Sequence, residues 1–138
     1  MSEQITPTIE VGTEVPLLEF TLTRTDLVRY AAASGDFNAI HHSDHAARQV
    51  ELPGVVAHGM LTLGSSLRAV TDWLGVDRIA SIGVRFSKPV VVPDDGVGAH
   101  LTVTGSVTEV ADDQATIALE TRCGDEKVLT AFTVGVRR

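Results

Sequence analysis

The chain has 138 residues, 43% of them hydrophobic and 21% charged, with a formal net charge of -7; this fits one domain over residues 1–138 and argues against a general nucleic-acid or anionic-membrane surface. The lone cysteine, Cys123, has no internal disulfide partner, so a reducing compartment and a cytoplasmic location are expected. The first residues show no signal-peptide pattern, and no apolar run reaches the ~18 residues of a membrane span.

Residues 1–16 read as a lead-in, loose over residues 1–8, with a short edge element at Ile9–Thr13 turned by Gly12. Leu18, Phe20 and Leu22 alternate and predict a strand. Thr23 with Asp26 three residues on is a carboxylate form of the capping box. Leu27, Tyr30 and Ala31 then predict a helix to about Ala33, ended by Gly35. Residues 35–42 read as a loop. Ser43 caps a short helix that Leu52-Pro53-Gly54 breaks. A long helix is predicted from Gly59 to Leu74. Its apolar stripe is Met60, Leu63, Leu67, Val70 and Leu74, with Trp73 beside it, and Gly64, Ser65, Ser66 and Ala69 leave its other faces narrow. Gly75 closes it.

The remainder reads as strands: Ile79–Phe86, His100–Val110, Ala115–Arg122 and Val128–Val136. Lys88–Gly96 carries Pro89 and Pro93, which favour an edge strand or a bend. Turns fall at Asp94-Asp95-Gly96, Asp112-Asp113 and Gly124-Asp125. One long helix followed by consecutive antiparallel strands predicts an α+β fold with the sheet wrapped on the helix.

The chemistry centres on Ser34-Gly35-Asp36-Phe37-Asn38-Ala39-Ile40-His41. A carboxylate at Asp36 and an imidazole at His41 can hold one water, one taking a proton while the other gives one. The same Gly-Asp-Phe-Asn composition also suits a plain turn. Asn38 either fixes the loop or bonds to a substrate. Gly59, at a helix start, offers a backbone N–H with no intrahelical partner at the positive end of the helix dipole, suited to a developing oxyanion. His58 reads as a residue satisfying local backbone. Ser65 and Ser66 either face a substrate, support Asp36, or let the helix pack closely. The spacing of His41 and His45 permits a zinc reading, but it is common, and no metal is assigned; His42 and His45 read as solvated. Cys123 reads as structural. No phosphate loop, nucleophile elbow or Cys-x-x-Cys pair is present.

These residues carry a resemblance. Ser34–His41 followed by Ala47, together with Ala57-His58-Gly59-Met60-Leu61-Thr62, resembles the two motifs of the MaoC-like, R-specific hydratases and dehydratases. Thr71–Gly75, Val84–Phe86 and Pro93–Gly98 are most similar to the beta subunit of a mycobacterial (3R)-hydroxyacyl-carrier-protein dehydratase. The resemblance runs from about Val11 to Val136. It implies a single hotdog fold, with the long helix wrapped by an antiparallel sheet. It implies a homodimer, or a heterodimer with a related hotdog subunit. It makes Asp36 and His41 catalytic, with Asn38 in support and the Gly59 N–H as oxyanion donor. The implied reaction is reversible hydration of a trans-2-enoyl thioester, on coenzyme A or acyl carrier protein, to the (3R)-3-hydroxyacyl thioester. No metal or redox cofactor is implied. One departure stands out: Ala39 replaces the proline that usually stiffens this loop. The rival readings are a hotdog acyl-thioesterase, a non-catalytic partner subunit and, more weakly, a zinc hydrolase. A patch of Arg48, Arg68, Arg85 or Lys88 would favour an acidic carrier protein.

Overall fold

The helices begin and end where the chain supplies partners for the backbone groups a helix leaves over. In the computed structural model, which describes residues 7–138, β1 spans Leu18–Leu22 and α1 Arg24–Ser34. The capping box forms between them: the Asp26 N–H donates to Thr23 Oγ1, and Asp26 Oδ2 accepts from the Thr23 N–H at 2.8 Å. Gly35 ends α1 at φ 77°, a left-handed conformation natural to glycine. Ser43 caps the short α2, Asp44–Gln49, through its bond from the Ala46 N–H. Helix α3 runs Gly59–Leu74, and the Gly75 N–H closes it on Thr71 O.

Strands β2 (Ile79–Phe86), β3 (Ala99–Val110), β4 (Gln114–Cys123) and β5 (Glu126–Arg137) complete the elements. Among the described residues they join β1 in one antiparallel sheet of order β1-β3-β4-β5-β2. Inward alternation in β3, β4 and β5 buries Leu101, Val103, Ile117, Phe132 and Val134 almost completely. Leu63, Ala69 and Val70 of α3 join the same core, with Leu27 of α1. This is the hotdog arrangement, α+β, with α3 inside the curl of the sheet.

Several expectations change or are decided between their alternatives. The apolar stripe packs on the core at Leu63, Leu67, Val70 and Leu74, with Trp73 beside it, and Met60 departs from it. Met60 is 59% exposed, and the buried positions are Thr62, Leu63, Ser66, Ala69 and Val70. Small and short side chains let helix and sheet approach, so a serine lies deeper than a methionine. Ser66 is fully buried and accepts a hydrogen bond from Thr121 of β4 at 2.9 Å, which makes it a packing residue. The expected loop 35–42 contains a 3₁₀ turn at Ala39–His41. Residues 88–96 form no strand; they run as a strap against residues 55–57, with Ala57 N–H donating to Val90 O and Val92 N–H to Val55 O.

The lead-in is tighter than expected after its first residues. Ile9 and Val15 are buried, and Gly12 N–H and Val15 N–H donate to Val107 O and Gly105 O of β3. Residues 1–6 of the expected loose stretch lie outside the described residues.

Candidate active site

Residues 34–41 form a ladder of side-chain bonds to nearby backbone. Ser34 Oγ accepts from the Asp36 N–H at 3.2 Å, Asp36 Oδ1 from the Asn38 N–H at 3.2 Å, and Asn38 Oδ1 from the Ile40 N–H at 3.1 Å. Such bonds fix turns that Ser, Asp and Asn favour. Asn38 therefore caps the 3₁₀ turn, the loop-fixing alternative of its two expected roles. Ala39 opens that turn, and His42 and Ser43 both donate to its carbonyl. The loop is thus stiffened by side chains where the resembling family uses proline.

The ladder delivers His41 to a defined position. Its Nδ1 lies 2.6 Å from Val56 O. A carbonyl only accepts, so Nδ1 carries the proton and the lone pair of the neutral ring is on Nε2. Nε2 faces Asp36 Oδ2 at 3.8 Å. The His41 side chain is 10% exposed and that of Asp36 is 51% exposed, so the pair opens to solvent through the carboxylate.

The loop and the start of α3 meet through His58. Its Nε2–H donates to Asp36 O at 3.1 Å. Its ring stacks on His41 with centroids 3.8 Å apart and planes 23° apart, and Tyr30 packs edge-on against it. Burial pushes the His58 imidazole below its ordinary pKa, against a smaller opposing effect of the Asp36 carbonyl bond. His58 was read from sequence as a residue satisfying backbone; it does so, but the backbone belongs to Asp36, 22 positions away.

Asp36 and Gly59 line one cleft of about 330 Å³, with Tyr30, Ser34, His58, Met60 and Phe86. Gly59 also lines a neighbouring cavity of about 210 Å³ under Phe86, walled by Ala57, Thr62, Val90, Val128 and Leu129 with Lys88. Gly59 is the first residue of α3, where the N–H points out of the helix without an i-4 acceptor. Asp36, His41 and Gly59 are therefore brought together. Ser66 is not part of the site. Ser65 lines a separate cleft with Arg29 and Arg68, so Arg68 and Lys88 face different cavities. Sequence reasoning missed Tyr30 and Phe86. Tyr30 reads only as a helix residue and Phe86 only as part of the Val84–Phe86 stretch, because what brings both to the cleft is the packing of α1 and β2 beside Gly59.

The metal reading also changes residues. His45 is exposed and outside the cluster, while ligand atoms of Asp36, His41 and His58 lie within 4.8 Å of one another. The geometry does not suit an ion. The two imidazoles are stacked, so their in-plane lone pairs run side by side rather than converging. One nitrogen of each is committed as a donor to a carbonyl.

Residues 8–123 match the MaoC like domain family. The chain is 36% identical over 78 residues to 3-hydroxyacyl-thioester dehydratase X of Mycobacterium tuberculosis, covering 56% of this chain and 27% of that protein. It is 32% identical over 108 residues to the 3-oxo-4,17-pregnadiene-20-carboxyl-CoA hydratase beta subunit of the same organism, covering 78% and 80%. Among solved structures, the ChsH1-ChsH2 complex from Mycobacterium tuberculosis aligns with a TM-score of 0.82 at 28% identity, covering 94% of this chain and 98% of that one. The chain spans at most 27% of the length of four of the curated relatives it matches. This chain belongs to the MaoC-like domain family.

Proposed function

We propose that this chain catalyses reversible hydration of trans-2-enoyl thioesters to (3R)-3-hydroxyacyl thioesters, borne on coenzyme A or acyl carrier protein, in fatty-acid or related lipid metabolism. One observation carries the reading: the Asp36 carboxylate, 3.8 Å from His41 Nε2, shares a cleft with the N-terminus of α3 at Gly59. An acid/base pair that can hold a water and a donor for a carbonyl oxygen are what addition of water beside a thioester needs.

In hydration, the thioester oxygen accepts from the Gly59 N–H. A water held between Asp36 and His41 attacks C3 and gives up a proton to the pair. Electron density moves through C2 to the thioester oxygen, where the N–H stabilises the enolate. C2 then takes a proton back from the pair, and the double bond has gained the elements of water. Val56 O keeps the proton on His41 Nδ1, which leaves Nε2 as the basic nitrogen facing the water. Carboxylate and imidazole titrate as a coupled unit. Dehydration is the same path reversed. No metal or redox cofactor enters it.

The proposed assembly is a homodimer, or a heterodimer with a related hotdog subunit. Strand β2 supports it: among the described residues β2 pairs only with β5, is eight residues long, and leaves Ile82 and Phe86 43% and 51% exposed. An open edge with exposed apolar residues is suited to pairing with a second chain. Sedimentation of the purified chain, alone and with candidate hotdog partners, tests this; a monomer of 14.7 kDa in every mixture overturns it. A cytoplasmic location belongs to the same reading and is supported by the lone Cys123, whose thiol burial holds in its neutral form.

The deciding experiment follows loss of enoyl-thioester absorbance with wild type and Asp36→Asn, without added metal and with a thiol reagent in parallel. Hydration by wild type that disappears in the folded variant supports the reading. Release of free thiol by wild type points instead to a thioesterase, and undiminished hydration by Asp36→Asn removes Asp36 from the mechanism.

A further inference from the structure

We infer that His58 is a positioning residue, holding the backbone of Asp36 with its N–H and the ring of His41 with its face, so that carboxylate and Nε2 stay opposed. This rests on the hydratase reading for its consequence, though not for its geometry.

His58 occupies the N-cap of α3, where short oxygen-bearing side chains are favoured because they can bond the first free N–H groups. The imidazole makes no such bond. It turns instead into the protein, to 2% exposure, and crosses to the loop. Because Asp36 O can only accept, His58 Nε2 carries the proton and Nδ1 is left bare. Nδ1 is buried without a partner among the described residues. Leaving a polar atom in that state is unfavourable. A residue kept there for packing alone would be better served by an apolar ring. The feature that an apolar ring lacks is the N–H to Asp36.

The other contact acts on His41. The bond to Val56 O holds one edge of the imidazole. A second ring stacked at 3.8 Å braces its face against tilting, and Tyr30 at 4.8 Å backs the stack. Neutrality matters as well. A charged His58 would carry a second buried N–H, at Nδ1, without an acceptor. As a neutral ring it leaves proton traffic to Asp36 and His41. The carboxylate needs this help, since half of its surface faces water and within the loop one of its oxygens is held by the Asn38 N–H alone.

The two contacts separate by substitution. His58→Phe keeps a ring face and loses the N–H; His58→Gln keeps an N–H and loses the face. Long-range nitrogen–proton correlation spectra report the tautomer of each imidazole without any turnover. In wild type, His41 is expected as the Nδ1–H form and His58 as the neutral Nε2–H form. In His58→Phe, His41 keeps its tautomer while kcat falls by about a hundredfold with KM nearly unchanged, the scale of misplacing a reacting group by about 1 Å. In His58→Gln, kcat falls likewise and the His41 ring signals broaden, because the ring has lost its stacked neighbour while Val56 O still keeps the proton on Nδ1. A charged or Nδ1–H form of His58 in wild type overturns the proposal whatever the variants do. So does retention of wild-type kcat and of sharp His41 ring signals in both variants, with only the melting temperature lowered. Failure of the hydratase reading looks different: Asp36→Asn stays active while the tautomer results stand.

Discussion

Gly59 lies against the face of Phe86: a methyl group built on Gly59 would stand 3.1 Å from Cε1 of that ring. Phe86 is 51% exposed, so the ring can yield by a few tenths of an ångström. Alanine also suits a helix better than glycine, by up to about 1 kcal/mol. Gly59→Ala should therefore fold with an unchanged or slightly raised melting temperature. Its N–H survives, but the new methyl stands beside the path a thioester oxygen must take to it. Loss of one such donor interaction lowers turnover by about 10²–10³-fold. Turnover of the variant should approach that loss, and Gly59→Ala/Phe86→Ala should not recover it, because the obstruction is the methyl rather than the ring. Recovery in the double variant would assign the effect to crowding by Phe86 instead.

Ala39 offers the opposite kind of test. It is the first residue of the 3₁₀ turn, a position with a helical φ that suits proline. Asn38, which would precede the proline, already has ψ 130°, the extended value such a residue adopts rather than the helical one that proline disfavours. The side-chain ladder from Ser34 to Ile40 holds the native loop, so proline adds stiffness rather than supplying it. Ala39→Pro should raise stability by about 0.4–1 kcal/mol, through the unfolded chain. Urea unfolding measures this, and turnover should stay close to wild type. A large loss of activity would mean that the loop must flex during the reaction.

Much of this architecture was legible because local chemistry and tertiary need agree. The long helix starts at Gly59 and ends at Leu74 as read, since Gly75 and the apolar period point to one answer. Strand β2 was equally clear from Ile79 to Phe86. One residue of the α3 stripe was misplaced for a physical reason. Its largest apolar residues do not all meet the sheet, and Met60 turns to the site cleft. Hydrophobicity alone cannot distinguish a face needed for close packing from one lining a pocket. Asp36 and His41 were visible because they share one loop. His58 as their clamp was not, because its contacts span 22 and 17 positions and exist only once α3 docks against that loop.

The buried pair Ser66 and Thr121 tests how α3 is seated on β4. Both side chains are fully buried and the Thr121 hydroxyl donates to Ser66 Oγ at 2.9 Å. Removing either hydroxyl leaves a buried polar atom without its partner, at a cost of about 1–3 kcal/mol. Ser66→Ala and Thr121→Val should each lower stability on that scale. The double variant should lose clearly less than the sum, since no orphan remains. Chemical denaturation of the four proteins measures the coupling. Turnover per folded molecule should hardly change, because neither hydroxyl lines the cleft with Asp36. Strict additivity would show that the bond contributes nothing to the seating.

Asp44 links acid stability to the site. Its Oδ1 accepts from the Val55 N–H at 2.9 Å and from Arg24 Nη2 at 2.9 Å. The Val55 amide first, and the Arg24 guanidinium after it, hold this carboxyl below its ordinary value of 3.8. A folded pKa below the unfolded one contributes stability above the unfolded value, and that contribution is lost as pH falls through the folded value. Glu120, held down chiefly by Arg122, acts in the same direction. Urea midpoints should therefore be level from pH 7 to about 5 and drop below about pH 4. Asp44→Asn should lower the midpoint at pH 7, and the gap from wild type should narrow as the solution is acidified. The effect should also reach the chemistry. Val55 is followed by Val56, whose carbonyl holds His41 Nδ1. Loosening the Val55 amide frees that carbonyl and with it the tautomer of His41. Turnover at pH 7 should fall by about tenfold in Asp44→Asn, as for a reacting group slightly out of place. A variant less stable at pH 7 yet fully active would show that the Ile40 carbonyl, which accepts from the Val56 N–H, and the strap from residues 88–96 suffice to hold Val56.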